Sequence, residues 1–136
     1  MRRVEGSFDV TSWDEDTYEE RDGGAKLTLA RVEQRITGGI EGDGAVRWLM
    51  SYRSDGTAHF VGQQRIAGSI SGRKGSFVVE TSGEFDGERA EGSWTVIERS
   101  GTDDFEGLRG TGRFTAPHGS TATFELDYEL RPRALR

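Results

Sequence analysis

Ala122-Thr123-Phe124-Glu125-Leu126-Asp127-Tyr128-Glu129-Leu130 decides the fold class, because apolar and polar residues alternate through its whole length. Phe124, Leu126, Tyr128 and Leu130 fall on one face, and Thr123, Glu125, Asp127 and Glu129 on the other. A period of two is that of a strand with one buried side; an amphipathic helix needs apolar spacings of three and four.

Moving outward, the same alternation recurs along the chain. Gly110, Gly112 and Phe114 form a short strand before it. Phe77, Val79, Thr81, Gly83 and Phe85 run into Asp86-Gly87 and return as Ala90, Gly92, Trp94 and Val96. Val46, Trp48, Met50 and Tyr52 are joined through Asp55-Gly56 to Phe60, Gly62, Gln64, Ile66 and Gly68. Each Asp-Gly pair supplies the positive φ that a tight hairpin turn requires. Ala30, Val32, Gln34 and Ile36, and before them Val4, Gly6, Phe8 and Val10, complete the series. Eight antiparallel strands are predicted, with inward glycines that let a sheet coil until it closes and that leave room inside. Closure also removes exposed strand edges. The expected fold is all-β, a single antiparallel eight-stranded closed barrel of lipocalin-like architecture. An open sandwich with bulges at the glycines is the competing arrangement.

The chain has 136 residues, the size of one domain, and residues 1–136 are read as a single barrel with frayed tails at 1–3 and 131–136. Cysteine is absent, so no disulfide framework, thiolate metal site or cysteine nucleophile is available. Apolar residues are only 32%, yet three Trp, three Tyr and seven Phe in alternating segments are not a disordered composition. A net charge of −6 with interspersed signs offers no basic patch for a phosphate backbone, so nucleic acid is not an expected partner. The N-terminus runs directly into charged, alternating sequence without an apolar leader or span, so the expectation is a cytoplasmic protein with no membrane partner.

The order and spacing of several phrases resemble the small bacterial family known as domain of unknown function 3224, whose fold is similar to the allene oxide cyclase barrel. They are Val10-Thr11-Ser12-Trp13-Asp14-Glu15, Asp22-Gly23-Gly24-Ala25-Lys26-Leu27, Trp48-Leu49-Met50-Ser51-Tyr52-Arg53, Phe60-Val61-Gly62 leading to Arg65, Gly75-Ser76-Phe77-Val78-Val79 and Ala116-Pro117-His118-Gly119. Phe105-Glu106-Gly107-Leu108-Arg109-Gly110-Thr111-Gly112 also resembles a loop-to-strand phrase of allene oxide cyclases and dirigent proteins. The resemblance implies a closed barrel and, by analogy of fold, an isomerase or cyclase shaping a flexible apolar substrate inside it. Where relatives often carry Glu and His, this sequence has Gln64 and Thr81, so a mechanism relying on that ionisable pair does not carry over.

The inward set predicts a ligand pocket: Trp48, Met50, Phe60, Phe77, Trp94, Phe114, Phe124 and Tyr128, punctuated by Gln34, Gln64 and Thr81. The same aromatics would also fill a solid core. Gln34 and Gln64 are placed to satisfy each other. The set contains no carboxylate, histidine or lysine, which disfavours acid–base catalysis and favours holding reacting carbons close together. Gln64 and Tyr52 are the candidates for hydrogen-bonding a substrate carbonyl. His59 is expected to face outward, and His118, in a Pro-His-Gly turn, is expected over the barrel mouth. Residues 13–24, rich in acid and containing Tyr18, read as a long connection serving as a lid or subunit contact, or as a disordered loop.

No metal-ligand spacing, dinucleotide fingerprint, phosphate loop or nucleophile elbow occurs, so no cofactor is expected. The predicted partner is a small apolar molecule, with a homo-oligomer left open. A cofactor-independent cyclase or isomerase, a non-catalytic carrier or sensor of a hydrophobic ligand, and a packed structural barrel are the competing functions.

Overall fold

The computed structural model describes residues 1–130; the tail expected at 131–136 lies outside them. Among the described residues eight strands form one closed barrel in chain order. They are β1 (Arg2–Glu20), β2 (Lys26–Gly38), β3 (Glu41–Tyr52), β4 (Ala58–Ile70), β5 (Arg73–Phe85), β6 (Arg89–Val96), β7 (Leu108–Pro117) and β8 (Ala122–Leu130). Every neighbouring pair is antiparallel, and the ring closes where Arg2 to Phe8 pair with Tyr128 to Ala122. Arg2 and Arg3 are therefore strand residues, where a frayed end was expected: Arg3 holds Asp127 across the seam with two hydrogen bonds, of 2.7 and 2.9 Å. No helix among the described residues is long and apolar enough to cross a membrane.

The inward residues read from β2 to β8 are the ones the barrel buries, including Ala30, Val32 and Ile36, Val46 and Ile66, and Val79 and Leu126. β1 differs. Residues 13–20, expected to be a loop, continue the strand and pair with β2 from Trp13↔Val32 to Glu20↔Lys26. A bulge between Val10 and Ser12 inserts one residue, and because side chains alternate, that insertion switches which parity faces inward. Phe8 points in before the bulge; after it, Trp13 and Glu15 take the inward positions opposite buried Val32 and Ala30. The acidic residues beyond the pairing with β8 lie on an open edge, where like charges discourage further strand pairing.

One end of the barrel is solid. β6 stops at Val96, and the following loop takes over the vacated edge of β5. Val78 N donates to Ser100 Oγ at 3.0 Å, Ser76 N to Thr102 Oγ1 at 3.0 Å and Lys74 N to Asp104 Oδ2 at 2.9 Å. Short polar side chains thus accept the β5 amides in place of a strand's carbonyls, while Ile97 N and Thr102 N donate to Val78 O and Ser76 O. The loop also delivers Phe105, buried edge-on against Phe77 with ring centroids 5.5 Å apart. The inward glycines do not leave the room expected of them, because rings occupy it. Phe60 lies against Gly83, Phe114 against Gly92 and Phe124 against Gly6, where a Cβ would collide with each ring.

The β5–β6 turn is held by Asp86, whose Oδ1 accepts the amides of Glu88 and Arg89, each at 2.9 Å. Donation from Arg89 N, then from Glu88 N, holds its carboxyl below the ordinary Asp range. A depressed folded value means that the stabilisation is fully present above the unfolded pKa of about 3.9 and disappears as pH falls through the lower folded value. Asp86→Ala should therefore destabilise the protein in urea titrations at about pH 7, and its difference from the wild type should shrink towards about pH 3. An equal difference at both pH values would mean that the charge is not the source.

Candidate functional site

The other half of the barrel is open, with a cavity of about 840 Å³. Its floor is an aromatic cluster. Phe114 on β7 has ring neighbours in Phe8 at 5.9 Å, Trp48 at 6.2 Å and Phe60 at 6.2 Å, and Trp48 meets Phe60 edge-on at 4.7 Å. Met50, Tyr52 and Phe85 continue the wall towards the mouth, which is bounded by Trp13 and Glu15 of β1 and by the loop between β7 and β8. The loop is tied down on both sides: His118 N donates to Glu88 O at 2.8 Å, and Thr121 Oγ1 donates to Asp9 Oδ1 at 2.7 Å.

Gln34 brings the deepest polar group to the cavity while only 5% exposed. Its Oε1 accepts Gln64 Nε2 at 2.7 Å, and the other end of its amide has no partner among the described residues. Gly44 makes this bond sterically possible, since a Cβ there would lie 2.6 Å from Gln64 Nε2 and 3.0 Å from Gln34 Oε1. Gln64 itself does not line the cavity; it positions Gln34 from behind.

The main group that sequence reasoning missed is Glu15. Its Oε2 accepts Thr28 Oγ1 at 2.6 Å and its Oε1 accepts Trp13 Nε1 at 3.0 Å, so both oxygens are held. The cavity therefore has a carboxylate, contrary to the inward set read from the sequence, because the β1 bulge reverses the parity of residues 13–15. Tyr52 stands nearby: burial first, and then the Glu15 carboxylate, raise its phenol well above the usual range, so it remains a neutral donor. Its hydroxyl points at Met50 Sδ, 3.7 Å away, and Lys26 Nζ sits 5.0 Å from the centre of its ring.

Of the residues singled out by sequence, Gln34, Trp48, Met50, Tyr52, Phe60, Phe114 and His118 line this cavity. Phe77, Thr81, Trp94, Phe124 and Tyr128 are buried in the barrel, as Gln64 is, but do not line it. Thr81 and Trp94 face each other across β5 and β6, and Thr81 Oγ1 and Trp94 Nε1 are without hydrogen-bond partners among the described residues. His59 is on the outer surface in contact with Glu84, which also accepts Arg53 Nη2 at 2.8 Å. Among the described residues no three His, Asp or Glu side chains gather closely enough to hold a metal ion.

The sequence pattern of the family described as "Protein of unknown function (DUF3224)" matches residues 4–128. A solved structure, that of a protein with unknown function from the DUF3224 family of Shewanella oneidensis MR-1, is similar with a TM-score of 0.82. The two sequences are 25% identical, and the likeness covers 97% of this chain and 99% of that one. None of the curated proteins matches the sequence.

Proposed function

The chain belongs to the DUF3224 family, and from that premise we propose that it is a small-molecule-binding barrel that folds a compact, largely apolar compound for cyclisation or isomerisation. The observation that carries this reading is the unequal filling of one continuous barrel: a solid end sealed by Phe105 and an open end of about 840 Å³ walled by aromatic rings. A packed structural barrel has no use for the second feature, whereas ligand pockets are commonly apolar with a few placed polar groups.

In this site the Phe114, Trp48 and Phe60 floor shapes the ligand. Gln34 and the neutral Tyr52 hydroxyl offer hydrogen bonds to a carbonyl or ether oxygen. Acceleration would come from holding the reacting carbons of one molecule in a near-attack geometry within the walls. A non-catalytic carrier is the second reading. It is favoured by Glu15, whose oxygens each already accept a hydrogen bond from the wall, an arrangement that suits a fixed group better than a proton-transferring one.

Ala116, half-buried at the mouth where it packs on the edge of the core, allows a test that leaves the fully buried side chains unchanged. Protein purified from its host should carry a small molecule detectable by mass spectrometry of the organic extract. Ala116→Trp should lose it while keeping its melting temperature. An empty wild-type protein that also binds nothing from a metabolite panel would sink the proposal. Tyr52→Phe separates the two readings: conversion of the captured compound should fall in the variant if the protein is an enzyme, whereas a carrier returns it unchanged in both forms.

A further inference from the structure

We infer that the cavity is built for a ligand bearing a cationic head, an apolar amine, with the Glu15 carboxylate as its counter-charge. The inference rests on the ligand-binding reading above and adds the chemical class. Four titratable side chains line the cavity: Asp9, Glu15, Tyr52 and His118. Two are carboxylates, and among the described residues no lysine or arginine lines it. Lys26, the lysine of β2, is outside the lining and lies over the Tyr52 ring.

The geometry of Glu15 sharpens the argument. Thr28 and Trp13 each donate to a different oxygen, which fixes the carboxylate at the wall. Each oxygen retains capacity for a further donor. The Trp13 indole that donates to it stands at the mouth 49% exposed, so the carboxylate is held at the entrance beside apolar surface. Deeper in, the unpartnered end of the Gln34 amide and the aromatic floor receive the uncharged remainder of the molecule. An anionic ligand, such as a fatty acid entering head-first, would be placed against Glu15 and Asp9 with no lysine or arginine among the described residues lining the cavity to compensate, and only His118, on the mouth loop, as a basic group.

Decylamine, decanol and decanoate, matched in length and titrated calorimetrically below their aggregation concentrations, distinguish these cases. Decylamine should bind at least about tenfold more tightly than decanoate, with decanol between them. Glu15→Gln should remove most of the amine's advantage and leave decanol unchanged, and Ala116→Trp should abolish binding of all three, excluding attraction to the acidic outer surface. Equal affinities for amine and carboxylate, or tighter binding of decanoate, overturn the assignment while leaving the ligand-binding reading intact. Equal weakening of amine and alcohol by Glu15→Gln overturns it as well, because Glu15 would then be supporting the wall. Binding of none of the three overturns the amine assignment, while the extract and metabolite-panel measurements above decide the ligand-binding reading separately. The wild-type comparison stands alone should the Glu15→Gln variant fail to fold.

Discussion

Phe114→Ala is expected to lower the free energy of unfolding by about 3–5 kcal/mol and the Tm by roughly 10–20 °C. Phe114 joins the two halves of the barrel: its ring touches Phe8, Trp48 and Phe60 under the cavity, and Trp94, with centroids 6.1 Å apart, on the solid side. It also lies over Gly92, so on that side only backbone borders the ring and no side chain can move in from beneath. The loss would fall near the upper end of the usual range for aromatic truncation, in a protein whose total stability is of order 5–15 kcal/mol. Urea titration followed by both fluorescence and circular dichroism measures it. Phe114→Leu, which keeps most of the volume, should cost visibly less. A loss below about 1 kcal/mol for the alanine variant would show that the floor collapses freely around the gap.

Gly83→Val should be at least as damaging, for the opposite reason. Gly83 pairs with Gly92 across β5 and β6. A Cβ at 83 would overlap the Glu91 carbonyl oxygen and lie 2.7 Å from both Gly92 Cα and Phe60 Cζ. Overpacking usually costs about 1–3 kcal/mol because side chains can shift. Here two of the three obstacles are backbone atoms of the neighbouring strand, so the β5–β6 ladder must open or the ring over it must leave. The expected result is a cost beyond that range, seen as loss of cooperative thermal unfolding or of folded yield. Gly87→Ala, at the exposed turn of the same hairpin with nothing near its Cβ, is the control. Its φ of +99° makes it mildly unfavourable for alanine, so it should destabilise less than Gly83→Val. A Gly83→Val protein as stable as the wild type would mean that the sheet coils less tightly than described.

Much of this barrel was legible residue by residue. Strands β2 to β8 alternate without interruption, and for an unbroken strand the inward set follows from the period alone. That is why Gln34, Trp48 and Phe60 were placed inside the barrel from sequence. The Asp-Gly turns marked their hairpins for the same local reason. The second half of β1 reads as a connection because its acidic composition is that of a solvated loop. A usable signal was nonetheless present: Asp22-Gly23-Gly24 is a hairpin turn, with φ of +71° and +86° at its glycines, and residues 13–20 are its first arm. The aromatic residues posed a different problem. Phe77, Trp94 and Phe124 are as inward and as large as Trp48 and Phe60, and nothing local separates those buried in the solid half from those lining a cavity.

What the sequence by itself determined was the closed antiparallel barrel and the identity of most side chains pointing into it, since both depend on alternation and turn chemistry within a few residues. Only the tertiary structure decided which end is solid, that rings fill the space above the inward glycines, and that Glu15 faces the cavity. Those outcomes depend on non-local events: a loop folding back onto β5, rings crossing from one strand to a glycine on another, and a single inserted residue reversing the parity of β1 against β2. Strand alternation specifies a face only until a bulge breaks the count, and where it breaks is set by the partner strand.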